Sequence, residues 1–313
     1  MKTKASFLIA AHNEEKCIGK VLENLKNLKK EFLNIEVIVG NDGSTDKTSE
    51  IVDRYKFVKH IHLNERKGKN AVINKIIKKA DGEIIIIHDA DWLFKVNDKK
   101  DFQKMLSWFD DKKVGGVAES FPIEYETDNQ QNTTAYLGNM YGTYLWIEFL
   151  KEKYTYKENE LRLADPSKKG FPFLVNIFRK NLYKNNTTLG DDFERTLDIL
   201  NNGYKVIVLD DPKMPRMHTL TPYINYKDIL KQKKRTEKAR SQVFRKYNID
   251  IGLLNFYIPL FVYYMKNLGK TKTFKGAFSL FIWIAMFIYA SLISKIKNRK
   301  LTTEKGWLMR ARR

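Results

Sequence analysis

One cysteine, Cys17, stands among 313 residues. It excludes an intramolecular disulfide and any cysteine-rich metal centre, and a small buried residue on a helix is its ordinary role. Acidic side chains are also in deficit. The chain has 37 Asp and Glu against 57 Lys and Arg, a formal net charge of +20. That excess points to an anionic partner: nucleic acid, an anionic membrane surface or phosphorylated small molecules. No zinc or RNA-binding motif is present to favour nucleic acid. The N-terminal segment Ala10 to Glu14 holds no Gly-rich phosphate loop, which disfavours a nucleotidyltransferase. No Ser-His-Asp or Cys-His arrangement is visible for covalent catalysis. Internal repeats and low-complexity linkers are lacking too. Ala5 to Ala11 is too short for a signal-peptide core, and polar His12 to Glu15 follows at once. A catalytic part that stays in the cytosol is therefore expected.

What is present begins with alternation. Ser6 to Ala11 is an apolar run of strand length, and Ile18, Val21, Leu22, Leu25 and Leu28 recur at helical spacing. Ile35 to Val39 reads as a second strand, with Thr45 as the cap of the helix that follows. Phe57 to Leu63 is a weaker third strand, and Val72, Ile73, Ile76 and Ile77 form the next helical face. Glu83 to His88 carries four consecutive isoleucines and reads as a strand covered on both faces. This order implies a parallel sheet with right-handed crossovers, whose ligands bind beyond the carboxyl ends of the strands. The polar motifs sit at those ends. From Lys113 to about Phe178 the pattern loosens, and an antiparallel or irregular acceptor-side region is expected. Asp191 to Leu200 reads as a helix closed by Gly203, Tyr204 to Leu209 as a strand, and Lys231 to Lys246 as a very basic helix.

Gly276 to Ser294 contains no charged residue. Nineteen such residues at ~1.5 Å each cover about 28 Å, close to a hydrocarbon core. Ile251 to Met265 is a shorter uncharged run broken by Pro259. Lys266, Lys270, Lys272 and Lys275 lie between the two, and Lys295, Lys297, Arg299 and Lys300 follow. Any single crossing exports basic residues, so attachment in the plane of the cytosolic face suits the charges best. A spanning hairpin or single span is the alternative. In the in-plane arrangement the tail meets anionic lipid, which accounts for part of the charge without nucleic acid.

Asp89-Ala90-Asp91 places two carboxylates just past the four-isoleucine strand, where they can meet one hard cation such as Mg²⁺ or Mn²⁺. Arg66, Lys67 and Lys69 supply point charges for phosphate nearby; a solvated charge run is the plainer reading. Together, Ala11-His12-Asn13-Glu14-Glu15, Asn41-Asp42-Gly43-Ser44-Thr45-Asp46, Arg66-Lys67-Gly68-Lys69-Asn70 and Asp89-Ala90-Asp91 resemble the family 2 glycosyltransferases with the GT-A fold.

The resemblance implies a role for each motif. Asp42 contacts the nucleotide base, and the first motif, with Ala11, Asn13 and Glu14 or Glu15, lies by the nucleoside. Asp91 is the principal metal ligand and Asp89 sits nearer the ribose. Gly190-Asp191-Asp192-Phe193-Glu194 is similar to the family's Glu-Asp motif, which makes Asp192 the general base with Asp191 beside it. The same two acids also suit a plain helix start. Gln232-Lys233-Lys234-Arg235-Thr236 resembles the Gln-x-x-Arg-Trp motif of membrane-bound members, with Thr236 in place of Trp. That departure argues against a polymer-forming enzyme. Gln232 and Arg235 then grip the diphosphate or a lipid phosphate; a solvated or lipid-facing basic face over Lys231 to Lys246 is the alternative. His218 follows the last core strand, from which GT-A enzymes contact metal or diphosphate; a satisfied loop histidine is the alternative.

The expectation is an α/β chain: a GT-A, Rossmann-like, mostly parallel sheet flanked by helices. Residues 1–246 form the catalytic domain and 247–313 a C-terminal membrane-associated helical segment with a basic tail. The expected reaction is inverting transfer from a nucleotide-diphosphate-sugar, with Mg²⁺ or Mn²⁺, to a lipid-linked or cell-envelope glycan; a polyprenyl phosphate is the alternative acceptor. A noncatalytic binder driven by charge has no need of Asp42, Asp91 and Asp192 at strand ends.

Overall fold

The computed structural model describes residues 4–32, 34–122, 124–125, 132–168, 173–185, 188–220, 224–249 and 253–296. The chain opens with β1 (Ala5–Ala11), α1 (Ile18–Glu31), β2 (Ile35–Asp42), α2 (Thr48–Asp53), β3 (Val58–Leu63), α3 (Lys69–Ile76) and β4 (Ile84–Asp89). β1 to β4 pair in parallel, as strand–helix alternation requires. Ile84 and Ile86 of β4 enter the core on the α1 face, while Ile85 and Ile87 enter the core on the α3 face. The four-isoleucine run is therefore covered on both sides. Thr45 caps no helix; α2 begins three residues later, and Asp46 Oδ1 accepts from Thr48 N at 2.9 Å. A carboxylate two residues before the first turn reaches that amide directly, leaving Thr45 for the loop.

After β4 come β5 (Trp92–Lys95), α4 (Lys99–Ser107), β6 (Val114–Glu119), β7 (Glu124–Tyr125) and α5 (Thr134–Tyr154). β8 (Thr155–Glu158), β9 (Leu161–Ala164) and β10 (Leu174–Arg179) follow, then α6 (Asp191–Asn201), β11 (Lys205–Val208) and β12 (Arg216–Thr219). The large sheet runs β3-β2-β1-β4-β10-β6-β11-β9-β8. Only β10 and β9 oppose the other strands. A small sheet of β5, β12 and β7 sits beside it.

The region expected to be irregular contains the 21-residue helix α5. Its apolar residues lie all round, because the sheet-side core covers one flank and the C-terminal helices another. No amphipathic stripe marks it. The last described elements are α7 (Tyr226–Lys246), a π-helical turn at Leu253–Tyr257, α8 (Ile258–Lys266) and α9 (Phe274–Ile296). Pro259 sits in the first turn of α8, where its missing N–H costs no helical bond.

α9 lies against α5 and α7. Gly138 and Gly142 of α5 make room for it: a Cβ at Gly142 would stand 2.2 Å from the Trp283 ring, and one at Gly138 2.5 Å from Ser279 O. Trp283 Nε1 donates to Asn139 Oδ1 at 3.3 Å, and Tyr264 Oη donates to Gly142 O at 3.0 Å. One core thus runs from Ile85 and Val175 of the sheet through Leu145 and Phe149 to Phe256, Trp283 and Phe287. Residues 274–293 are, among the described residues, the one stretch long and apolar enough to cross a membrane, with mean hydropathy 2.1. The outer face of α9 shows Phe274, Phe278, Phe281, Ile288, Tyr289 and Leu292. Lys297, Arg299 and Lys300 of the basic tail lie outside the described residues.

Candidate active site

The sheet register sets the site. Ala11 pairs with Asn41 and Ala10 with Asp89, so the carboxyl ends of β1, β2 and β4 lie abreast. The β1 loop is laced to the β2 loop. Asn13, at φ 55°, donates its N–H to Ser44 Oγ at 3.1 Å and accepts from Thr45 N at 2.8 Å. Asn is among the few residues that tolerate this left-handed conformation. Glu14 N donates to Thr48 Oγ1 at 2.8 Å, and Glu15 N to Asp46 Oδ2 at 3.1 Å.

Asp42 is fully buried. Its two oxygens accept from Lys67 N at 2.7 Å and Gly68 N at 2.8 Å. It braces the Arg66–Lys69 loop at the start of α3, and charge at a helix N-terminus is favourable. α3 then delivers Lys69, whose Nζ donates to Asp89 Oδ1 at 2.9 Å. Its neighbour Asn70 donates from Nδ2 to Thr188 O at 2.8 Å, tying this loop to the acidic loop before α6.

The two acids that open α6 differ. Arg195, one turn on and itself buried, donates from Nη2 to Asp191 Oδ2 at 3.0 Å. Burial pushes the Asp191 carboxyl up, but Lys69 and Arg195 together pull it below its ordinary value. Asp192 is pushed above its ordinary value by burial and by Asp191, against the opposing pull of Lys69 and Arg195. A raised carboxylate is the better proton acceptor. Glu194 is structural: Oε2 accepts from Thr188 N at 3.1 Å and Thr188 Oγ1 at 2.7 Å, and Oε1 meets Lys246 Nζ.

Two cavities meet at Asp192. One of about 180 Å³ is lined by Lys69, Asp89, Trp92, Glu119, Asn176 and Asp192 among others. The second, about 340 Å³, is lined by Glu119, Trp146, Asp192, Gln232, Arg235 and Trp283 among others. Asp192 and Glu119 belong to both walls. An apolar groove of about 270 Å³ lies between α8 and α9, and Phe287 lines both it and the larger cavity. Lys233 Nζ stands 3.2 Å from the Trp283 ring centroid, and burial holds its amine well below its ordinary value.

Ala11, Asn13, Glu14 and Asp42 stand at the same sheet edge but line neither of these two cavities. Asp91 is buried and accepts Leu220 N on its carbonyl at 2.9 Å, so β12 runs beside it. His218 of β12 has Nε2 at 2.8 Å from Glu124 Oε2. Asp89 faces Lys69 and His218 faces Glu124, so the three expected ligands do not close around one point. Asp89 lines the smaller cavity with Lys69, and Asp91 lies buried two residues on; two such carboxylates nonetheless suit Mg²⁺ or Mn²⁺. Such ions take one or two carboxylates and complete their shell with substrate phosphates and water.

Glu119 has no place in the sequence motifs. It ends β6 as Asp42 ends β2 and Asp89 ends β4, and that shared position is the signal that would have found it. Burial pushes its carboxyl up to about 7, although Met217 N and the Arg216 guanidinium pull the other way. Met217 N donates to Glu119 Oε1 at 2.8 Å.

Residues 6–182, more than half of the chain, match the family described as Glycosyl transferase family 2. A probable glycosyltransferase, YdaM of Bacillus subtilis, is 34% identical over 128 residues, 38% of this chain and 30% of that protein. Poly-beta-1,6-N-acetyl-D-glucosamine synthase of Staphylococcus epidermidis is 32% identical over 115 residues, 36% of this chain and 27% of the synthase. The matched stretch is thus less than a third of either relative's length. The fold is shared with the mannosyltransferase PcManGT of Pyrobaculum calidifontis in complex with GDP-Man and Mn²⁺. The TM-score there is 0.55, at 18% identity over 98% of this chain and 79% of that one. It is also shared with Staphylococcus aureus TarS 1-349 in complex with UDP-GlcNAc. That TM-score is 0.51, at 17% identity over 92% of this chain and 81% of that one.

Proposed function

Since the chain belongs to glycosyl transferase family 2 and is a glycosyltransferase, we propose that it inverts a sugar's anomeric centre in one displacement. The donor is a nucleotide-diphosphate-sugar. The acceptor is a lipid-linked or cell-envelope glycan, or a polyprenyl phosphate. The observation that carries this reading is Asp192, which faces a smaller cavity with Lys69 and Asp89 and a larger one with Gln232 and Arg235. A base belongs where donor and acceptor meet.

The donor lies along the carboxyl ends of β1, β2 and β4. Ala11, Asn13, Glu14 and Asp42 shape the nucleoside side, Asp42 chiefly through the Lys67–Gly68 backbone that it holds. Lys69 receives phosphate charge. Asp91, with Asp89, would hold Mg²⁺ or Mn²⁺ against the diphosphate, and His218 joins only by leaving Glu124. When bound, that ion neutralises the charge of the departing diphosphate. Asp192 takes the acceptor's hydroxyl proton as the oxygen attacks. Asp191, pinned by Arg195, keeps its negative charge and holds Asp192 basic. The Mn²⁺ complex of the mannosyltransferase and the UDP-GlcNAc complex of TarS support metal and donor class.

The larger cavity supports an acceptor with a phosphate and an apolar tail. Gln232, Lys233 and Arg235 line its polar part, and Phe287 also lines the apolar groove between α8 and α9. Residues 1–246 are the catalytic unit and 247–313 a C-terminal segment that meets an anionic membrane from the cytosolic side; its helices α8 and α9 pack on α5, and α9 on α7 as well. The exposed aromatic face of α9 supports attachment in the plane, and the relatedness to a poly-beta-1,6-N-acetyl-D-glucosamine synthase supports a glycan acceptor.

The test is a panel of labelled nucleotide-sugars, assayed with membranes and divalent metal for the parent and Asp91→Asn. Metal-dependent transfer from one donor, lost in Asp91→Asn, is expected. Full activity in chelator or in the variant contradicts the reading.

A further inference from the structure

A second cluster of metal-binding side chains lies away from the cleft, on the outer strand of the sheet. His60 and His62 of β3 are two residues apart, so their rings share one face. The ring centroids are 3.8 Å apart, at 41° between planes. Asp53, the last residue of α2, reaches the same face, with Oδ1 at 2.7 Å from His60 Nδ1. Ser49 Oγ lies 3.4 Å from His62 Nδ1. One ligand atom each from Asp53, His60 and His62 falls within 4.8 Å of the other two, and these three form the one such group among the described residues. The other nitrogen of His60, Nε2, is buried with no hydrogen-bond partner among the described residues.

An ion pair between Asp53 and a protonated His60 is the simpler account, and it fits poorly. A second imidazole stacked at this distance disfavours a charged ring. Burial holds His60 below its ordinary value, with His62 adding to the effect and Asp53 opposing it. The neutral ring is the form that ligates metal.

We infer that Asp53, His60 and His62 bind one divalent ion of the zinc class, with water in the fourth position. Two imidazoles and a carboxylate suit Zn²⁺, which takes tetrahedral bonds of about 2.0–2.1 Å. Those bonds set ligand atoms roughly 3.4 Å apart, and rotation of the exposed Asp53 and His62 side chains closes the present spacing. The oxygen-only pair Asp89 and Asp91 selects the harder Mg²⁺ or Mn²⁺, so the two sites differ in chemistry as well as place. The ion would fasten the C-terminal end of α2 to β3. The other end of α2 carries Thr48, with Asp46 just before it, and these two hold Glu14 and Glu15 of the nucleoside-side loop. Zinc at one end of this short helix steadies the loop at the other.

The test uses full-length chain in detergent, without a histidine tag, stripped by chelator and dialysed against micromolar Zn²⁺ with millimolar Mg²⁺ present. The parent should retain one Zn²⁺ more per chain than His60→Ala/His62→Ala and show a zinc-dependent rise in melting midpoint that the double variant lacks. Asp91→Asn should keep that ion. Retention should fall as pH drops below about 6.5, where protons compete with the ion for the ring nitrogens. Equal zinc content in parent and double variant overturns the inference, as does zinc lost from Asp91→Asn but kept by the double variant. Melting in chelator reports whether the double variant folds. If it does not, His62→Asn alone, at an exposed position, must also lose the ion.

Discussion

Lys69 Nζ lies 2.9 Å from Asp89 Oδ1, and the same ammonium pulls downward on the carboxyls of both Asp191 and Asp192, although burial and Asp191 keep Asp192 above its ordinary value. One cation therefore reaches the carboxylate that ends β4 and bears on both acids that open α6. Asp42 fixes its place by holding the two backbone amides just before it.

Removing that cation should act on pH as well as on affinity. In Lys69→Met the Asp192 carboxyl rises further, so the acid limb of the turnover profile should move to higher pH. Loss of a charge-assisted contact of about 1.5–3 kcal/mol should weaken donor binding roughly 10–100-fold. Rates across pH at saturating donor check the first part and donor titration the second. An unmoved acid limb would place Lys69 outside the circuit of Asp192.

Glu119 gives a stability prediction with a definite sign. Its carboxyl is raised from 4.5 to about 7 in the folded chain. Between those values the folded state holds a proton that the unfolded state has released, so stability falls as pH rises through that window. Glu119→Gln does not titrate. Its melting midpoint relative to the parent, measured in chelator, should be higher at pH near 8 than at pH near 5. Equal differences at both pH values would return Glu119 to ordinary behaviour.

The seat of α9 on α5 is tested at Gly142. A methyl group there meets the Trp283 ring at 2.2 Å, and overpacking of this kind costs about 1–3 kcal/mol. Gly142→Ala should lose that much in denaturant unfolding in detergent. Gly269→Ala, where a Cβ meets nothing within 4 Å, should stay within about 0.5 kcal/mol of the parent. Matching stabilities would detach α9 from the α5 surface.

Much of this architecture was legible in the sequence. The apolar runs of β1, β2 and β4 and the helical spacing of α1 carry their own periods, because each element buries a defined face. α5 carries none, since its neighbours on several sides ask for apolar or small residues at almost every position, and its aromatics read as irregular chain. The motif acids were visible, and the family resemblance points to Asp192 as the base; what distinguishes it physically from Asp191 was not legible. Asp191 and Asp192 are adjacent and identical in type, and only the reach of Arg195 back to Asp191 separates them. His218 shows the converse, a plausible ligand by position whose ring is engaged with Glu124. Glu119 was missed because it ends its strand outside any motif.

The most direct test of the account is the turnover of Asp192→Asn at saturating donor, beside that of Asp191→Asn. A lost general base should lower turnover by roughly 10²–10⁴ with donor affinity nearly unchanged, and Asp191→Asn should be milder. A parent-like rate for Asp192→Asn, with Asp191→Asn inactive, would contradict the central claim and move the base by one residue.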